Sequence, residues 1–75
     1  MRLAIKGAAS PEFALRVLNL LAQQDVTVER ALIELVGDRY RLSLDTAAAA
    51  RDDLIVEKIG AMILVHHVER LDVVA

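Results

Sequence analysis

Gly37-Asp38, set between two runs of alternating apolar residues, constrains this chain more than any other feature of it. A Gly-X pair suits a two-residue type II′ hairpin loop, because Gly accepts the positive φ of the first turn position. With those two residues as the loop, facing residues carry numbers that sum to 75. Leu35 then faces Tyr40, Ile33 faces Leu42 and Ala31 faces Leu44, giving one apolar side of a sheet. On the other side Glu34 faces Arg41 and Arg30 faces Asp45, two opposite-charge pairs that a slip of one residue would destroy. That outer side also carries the apolar Leu32 and Val36. Upstream, apolar parity slips between Val28 and Ala31, which predicts a bulge or a strand start near Glu29.

The remaining elements follow from periodicity. Arg2 to Lys6 alternates, with Leu3 and Ile5 on one face, as a short strand covered on one side, and Gly7 to Ala9 breaks the pattern. Ser10-Pro11 starts a helix: the Ser hydroxyl accepts from an orphan amide, Pro loses no hydrogen bond at the first helical position, and Glu12 complements the helix dipole. Phe13, Val17, Leu20 and Leu21, flanked by Ala14 and Leu18, give this helix its apolar stripe. Thr46 is the expected cap of a second helix, running through Ala47 to Ala50 and on to about Ile63, with Ile55, Ile59, Met62 and Ile63 as the buried stripe. Gly60 costs roughly 1 kcal/mol relative to Ala there, so it predicts a close approach to the sheet. His67 to Val74 reads as the last strand, with Glu69, Leu71 and Val73 on one face and Val68, Arg70, Asp72 and Val74 on the other. The order predicts an α+β, ferredoxin-like βαββαβ sandwich in which a four-stranded antiparallel sheet is covered by two helices on one face, with residues 1–75 as a single domain.

Composition narrows what such a domain does. A chain of 75 residues with no cysteine buries only roughly 60% of its unfolded surface and has no disulfide or structural zinc to support it, so oligomerisation is expected. Nine Lys and Arg against eleven Asp and Glu disfavour nucleic acid. The amino end lacks an apolar stretch of signal length and no window reaches a membrane span, so no membrane association is expected and the cytoplasm is the expected location. The single strand aromatic, Tyr40, falls on the core side, away from where base stacking would need it. There is no Cys-x-x-Cys for a soft metal, no Arg in the Gly7-Ala8-Ala9-Ser10 loop to cradle a phosphate, and no nucleophile-elbow Ser. His66 and His67, adjacent and two ligands at most, read as surface residues joining helix to strand, and Asp52-Asp53 as helix-start acids. No catalytic, cofactor-binding or metal-ligating residue is assigned. What remains is the turn from Gly7 to Glu12, whose amides at a positive helix end could hold a carboxylate or phosphate, or serve an ordinary helix cap.

The Pro11-Glu12 start followed by Arg16-Val17-Leu18, and the later Met62-Ile63-Leu64-Val65-His66-His67-Val68, resemble the ACT domain family over nearly the whole chain. Within it the first helix is most similar to the short, single-domain small subunits of acetolactate synthase. The resemblance implies a non-catalytic regulatory subunit of branched-chain amino-acid biosynthesis, without a cofactor of its own, that activates a large thiamine-diphosphate-dependent catalytic subunit. It also implies a homodimer through a sheet edge, and a branched-chain amino acid as effector beside Ala8, Ala9, Ser10, Pro11, Glu12 and Thr27. Where many effector-binding members carry Gly after the Pro, this chain has Glu12, and where effector-sensitive small subunits tend to carry Asn, it has Thr27. An acidic side chain at the helix start fills space and repels a carboxylate, which implies activation with weak or no valine feedback. A free-standing ACT sensor of an amino acid at its dimer interface is the alternative. Leu32 and Val36 are the interface candidates.

Overall fold

The computed structural model describes residues 1–72, in the order β1 (Arg2–Ala8), α1 (Pro11–Gln23), β2 (Val28–Val36), β3 (Arg39–Thr46), α2 (Asp52–Gly60) and β4 (Val65–Arg70). The strands form one antiparallel sheet in the order β2-β3-β1-β4, which with the two helices is the expected ferredoxin-like arrangement.

β1 is paired on both sides, and its Leu3 and Ile5 are fully buried. They lie opposite Leu44 and Leu42 of β3, which are buried as well. Phe13, Val17 and Leu21 of α1 and Ile55 and Ile59 of α2 close on that face, so alternation in the strands and three-to-four spacing in the helices meet in one core. Gly7 does not end β1 as expected; it is buried inside the strand, where the Phe13 ring lies against its backbone. A Cβ added there would collide with that ring and stand 2.5 Å from the Leu64 carbonyl oxygen.

The β2–β3 register is the one read from the turn. Leu35 pairs with Tyr40, Ile33 with Leu42, Ala31 with Leu44, Glu34 with Arg41 and Arg30 with Asp45, and the register shifts between Val28 and Arg30 where the bulge was expected. Gly37 takes a φ of 64°, as its turn position requires. The two ion pairs expected across the hairpin do not form. Asp45 is taken instead by Arg2 of β1, 3.0 Å away, and among the described residues neither Arg30 nor Glu34 makes an ion pair.

Three other expectations are corrected. Thr46 does not cap α2; it ends β3, buried, with its amide donating to the Met1 carbonyl at 2.8 Å. The Ala47 amide donates to Thr27 at 2.9 Å, so the chain is still held to the sheet where alanine propensity favours a helix, and α2 begins only at Asp52. That helix stops at Gly60, which leaves Ile63 90% exposed rather than in the buried stripe, with Met62 half-buried. Gly60 does approach the sheet closely: a Cβ on it would stand 3.3 Å from Val68 Cγ1. β4 starts at Val65 rather than at His67, so His66 lies in the strand along with His67, and both are exposed. Val68 and Arg70 pair with Ile5 and Leu3 and therefore share the helix-covered face. Val73 and Val74 fall outside the described residues.

Gly7→Ala is expected to lower the unfolding free energy by about 1–3 kcal/mol, because the added methyl must displace both an aromatic ring and a backbone carbonyl. Gly37→Ala meets no neighbour and is limited to the cost of a positive φ, about 1–2 kcal/mol. Urea denaturation of the two variants checks both.

Candidate functional site

The turn between β1 and α1 caps itself. Ser10 is extended, with φ −138° and ψ 135°, and its Oγ accepts from the Glu12 amide at 3.3 Å. Ser10 also donates its own amide to the Ala8 carbonyl at 2.8 Å, and its carbonyl accepts from Phe13 at 3.0 Å. The Ala8 amide reaches the Leu64 carbonyl at 3.0 Å, which ties the turn to the start of β4. Pro11, first in the helix, has no amide to offer. The amides of Ala8, Ser10 and Glu12 are therefore engaged inside the protein, as in an ordinary helix cap.

Glu12 does not project freely over the turn. Arg16, one helical turn on, donates to Glu12 Oε1 from Nη2 at 2.6 Å and from Nε at 2.9 Å. Both side chains are more than half exposed, so the pair contributes little to stability, but it neutralises the one acidic group at the helix start. The Pro11-Glu12 and Arg16-Val17-Leu18 motif thus has a physical reading: Pro sets the first helical residue, Glu12 and Arg16 pair along the surface, and Val17 enters the core.

Ala8, Ala9, Ser10, Pro11 and Glu12 come together in this turn, and Thr27 does not join them. Ala8 pairs with Arg39 at one end of β3, whereas Val28, next to Thr27, pairs with Thr46 at the other. About 23 Å of strand separates those ends. The reason is α1, whose 13 residues carry the chain back by about 20 Å before β2 begins. Thr27 is exposed, and its carbonyl accepts from Ala47.

A charged cluster that the sequence reading missed lies where β4 meets α2. Arg70 donates from Nε to Asp72 Oδ1 at 3.0 Å, from Nη1 to Asp53 Oδ1 at 3.3 Å and from Nη2 to Asp52 Oδ2 at 3.5 Å. Asp52 also accepts from the Ala49 amide at 3.2 Å, fixing the approach to α2. The hydrogen bond from Arg70 holds the Asp72 carboxyl well below the usual carboxylate range, at about 2, and the same bond raises Arg70. The acids expected to serve the helix dipole thus clamp the last strand to the second helix. The available signal was parity: once Val68 lies over the core, Arg70 must reach the same helix. Among the described residues no group of three or more His, Cys, Asp and Glu could hold a metal ion. No helix there is long and apolar enough to cross a membrane.

Two open concavities are lined by no residue of the turn. One, of about 300 Å³ on the outer sheet face, is lined by Arg2, Arg30, Leu32, Ser43 and Asp45 among others. A second, of about 610 Å³, lies between the helices beside Arg16, Asn19, Gln23 and Lys58.

No protein-family model matches this chain, and no curated protein matches it in sequence. Solved structures do match in fold. The ACT domain from GTP pyrophosphokinase of Chlorobium tepidum superposes with a TM-score of 0.75 at 17% identity, covering 93% of this chain and 94% of that one. A homoserine dehydrogenase from Thiobacillus denitrificans gives a TM-score of 0.76 at 16% identity over 93% of this chain but only 16% of its own. The C-terminal domain of the MgtC protein from Mycobacterium tuberculosis gives 0.71 at 16% identity, covering 91% and 80%. The fold is therefore that of the ACT domains among these structures.

Because the pKa of Asp72 is depressed in the folded state, its contribution to stability is present above the ordinary carboxylate pKa and is lost as the pH falls from about 4 toward about 2. Asp72→Asn is expected to be slightly less stable than the parent at pH 7 and to lose less stability between those pH values. Thermal unfolding midpoints across that range measure both effects.

Proposed function

We propose that this chain is a non-catalytic small subunit that binds and activates the large thiamine-diphosphate-dependent subunit of acetolactate synthase, with weak or no response to valine. The observation that carries the reading is the self-capped turn on an ACT-type fold. The fold is of ACT type, while the amides of Ala8, Ser10 and Glu12 in its first turn are engaged by Leu64, Ala8 and Ser10. The Pro11-Glu12 and Arg16-Val17-Leu18 residues support the choice among ACT-type modules, since each has a defined place in the helix start. The structural neighbours give further support: one is the ACT domain from a GTP pyrophosphokinase, and another is a short part of a homoserine dehydrogenase chain, so this fold accompanies larger catalytic proteins.

Chemistry on this reading belongs to the partner. The small subunit adds surface, and its effect on turnover comes from preferring one state of the large subunit over another. Within the turn, Glu12 and its partner Arg16 occupy the helix start, and the carboxylate of an amino-acid effector would have to displace hydrogen bonds already made there.

The test is reconstitution. Adding this chain to the large subunit of acetolactate synthase is expected to raise acetolactate formation from pyruvate, with the rate unchanged by millimolar valine. A large subunit that neither co-elutes with this chain nor responds to it contradicts the assignment. Calorimetric binding of valine, leucine or isoleucine to the chain alone would favour the amino-acid sensor instead.

A further inference from the structure

The two ends of the outer sheet face, the one away from the helices, differ in how their charges are met. At one end Arg2 of β1 stands opposite Asp45 of β3 and holds it at 3.0 Å. At the hairpin end Lys6 of β1 stands opposite Arg41 of β3, a like-charge pair in the same ladder. Like charges directly opposite destabilise a sheet. Among the described residues neither Lys6 nor Arg41 makes an ion pair, and Glu34, across the next ladder from Arg41, makes none either. On its other side Lys6 pairs with His67 of β4, which adds no negative charge. Arg39, two residues along β3 and therefore on the same face, has Asp38 4.0 Å away, on a side chain that is 98% exposed.

These three cations line one concavity of about 270 Å³, completed by Val36 and Tyr40 and by no acidic residue. Chemistry and size select what fits it. An anion of single charge leaves most of the positive charge unmatched. A phosphate monoester carries close to two negative charges at neutral pH and three acceptor oxygens, enough to accept from a lysine and from both guanidinium forks at once. The space admits a phosphate with a small organic group, and Val36 and Tyr40 supply the uncharged part of the lining. A long polyanion is disfavoured by that size and by the chain's net charge of -2.

We propose that Lys6, Arg39 and Arg41 form a binding site for the phosphate group of a small phosphate monoester, on the sheet face opposite the helices. The bound dianion sits among like charges that the free chain leaves facing one another, so occupancy also stabilises the β1–β3 ladder. The site lies on strands and not in the β1–α1 turn, and it is independent of any enzyme partner.

Amide chemical shifts of the isotope-labelled chain, followed during titration with phenyl phosphate at an ionic strength held constant with sodium chloride, test the site. Saturable shifts at Lys6, Val36, Arg39, Tyr40 and Arg41 are expected, with a Kd on the order of 1 mM because the contacts are exposed to solvent. Arg41→Gln is expected to weaken binding about fivefold or more, and Arg30→Gln, at the far end of the same face, to leave it unchanged. Lys6→Gln separates binding from a structural role. It removes the like-charge pair, so it is expected to raise the thermal midpoint of the free chain while weakening phenyl phosphate binding about fivefold or more. Shifts that do not saturate by tens of millimolar overturn the proposal. So do shifts equally strong with acetate, or a Lys6→Gln chain that binds as the parent does. Co-sedimentation with phosphatidic acid vesicles in the absence of phenyl phosphate binding would assign the charges to a lipid headgroup and overturn it as well.

Discussion

The structure depends on one strand being closed from every side. β1 is hydrogen-bonded to β3 and β4, its Leu3 and Ile5 are sealed beneath both helices, and its Gly7 lets the Phe13 ring lie directly against the backbone. That contact fixes the first turn of α1 over the end of β1, and the Ala8 to Leu64 hydrogen bond ties the start of β4 to the same point. The β1–α1 turn lies where the core begins, and its Ala8, Ser10 and Glu12 amides have partners inside the protein.

Burial falls away toward β2. Leu42 and Leu44 of β3 are closed over, while Ile33 across the same ladder stands about half exposed. A chain of this length has two helices to lay on four strands, and they cover β1, β3 and β4. The apolar side chains of β2 are a cost in a single chain and a resource in an assembly. Among the described residues, β2 carries exposed apolar side chains on both of its faces, Ile33 and Leu35 on one and Leu32 and Val36 on the other.

Where the sequence reading succeeded, turn chemistry and parity agreed. Gly37-Asp38 fixed the hairpin register, the parity slip near Glu29 located the bulge, and Ser10-Pro11 marked the start of α1. It failed where tertiary contacts outweigh propensity. Ala47 to Ala50 favour a helix, but Thr46 and Ala47 are bonded to Met1 and Thr27, so those residues form the crossover. Arg30 and Asp45 face each other as read, but the ladder has a third strand, and Arg2 reaches Asp45 first. Within the candidate site, the turn residues were found by their local signals. The separation of Thr27 from them was not, because it depends on the length of α1. Arg70 was missed because its partners lie on a helix whose start was misplaced.

Amide hydrogen exchange at the β1–α1 turn tests most directly whether its donors are held inside the protein. Slow exchange at Ala8, Ser10 and Glu12 is expected, because each amide has an acceptor there. Exchange of these three amides at the rate of an unstructured peptide would contradict it.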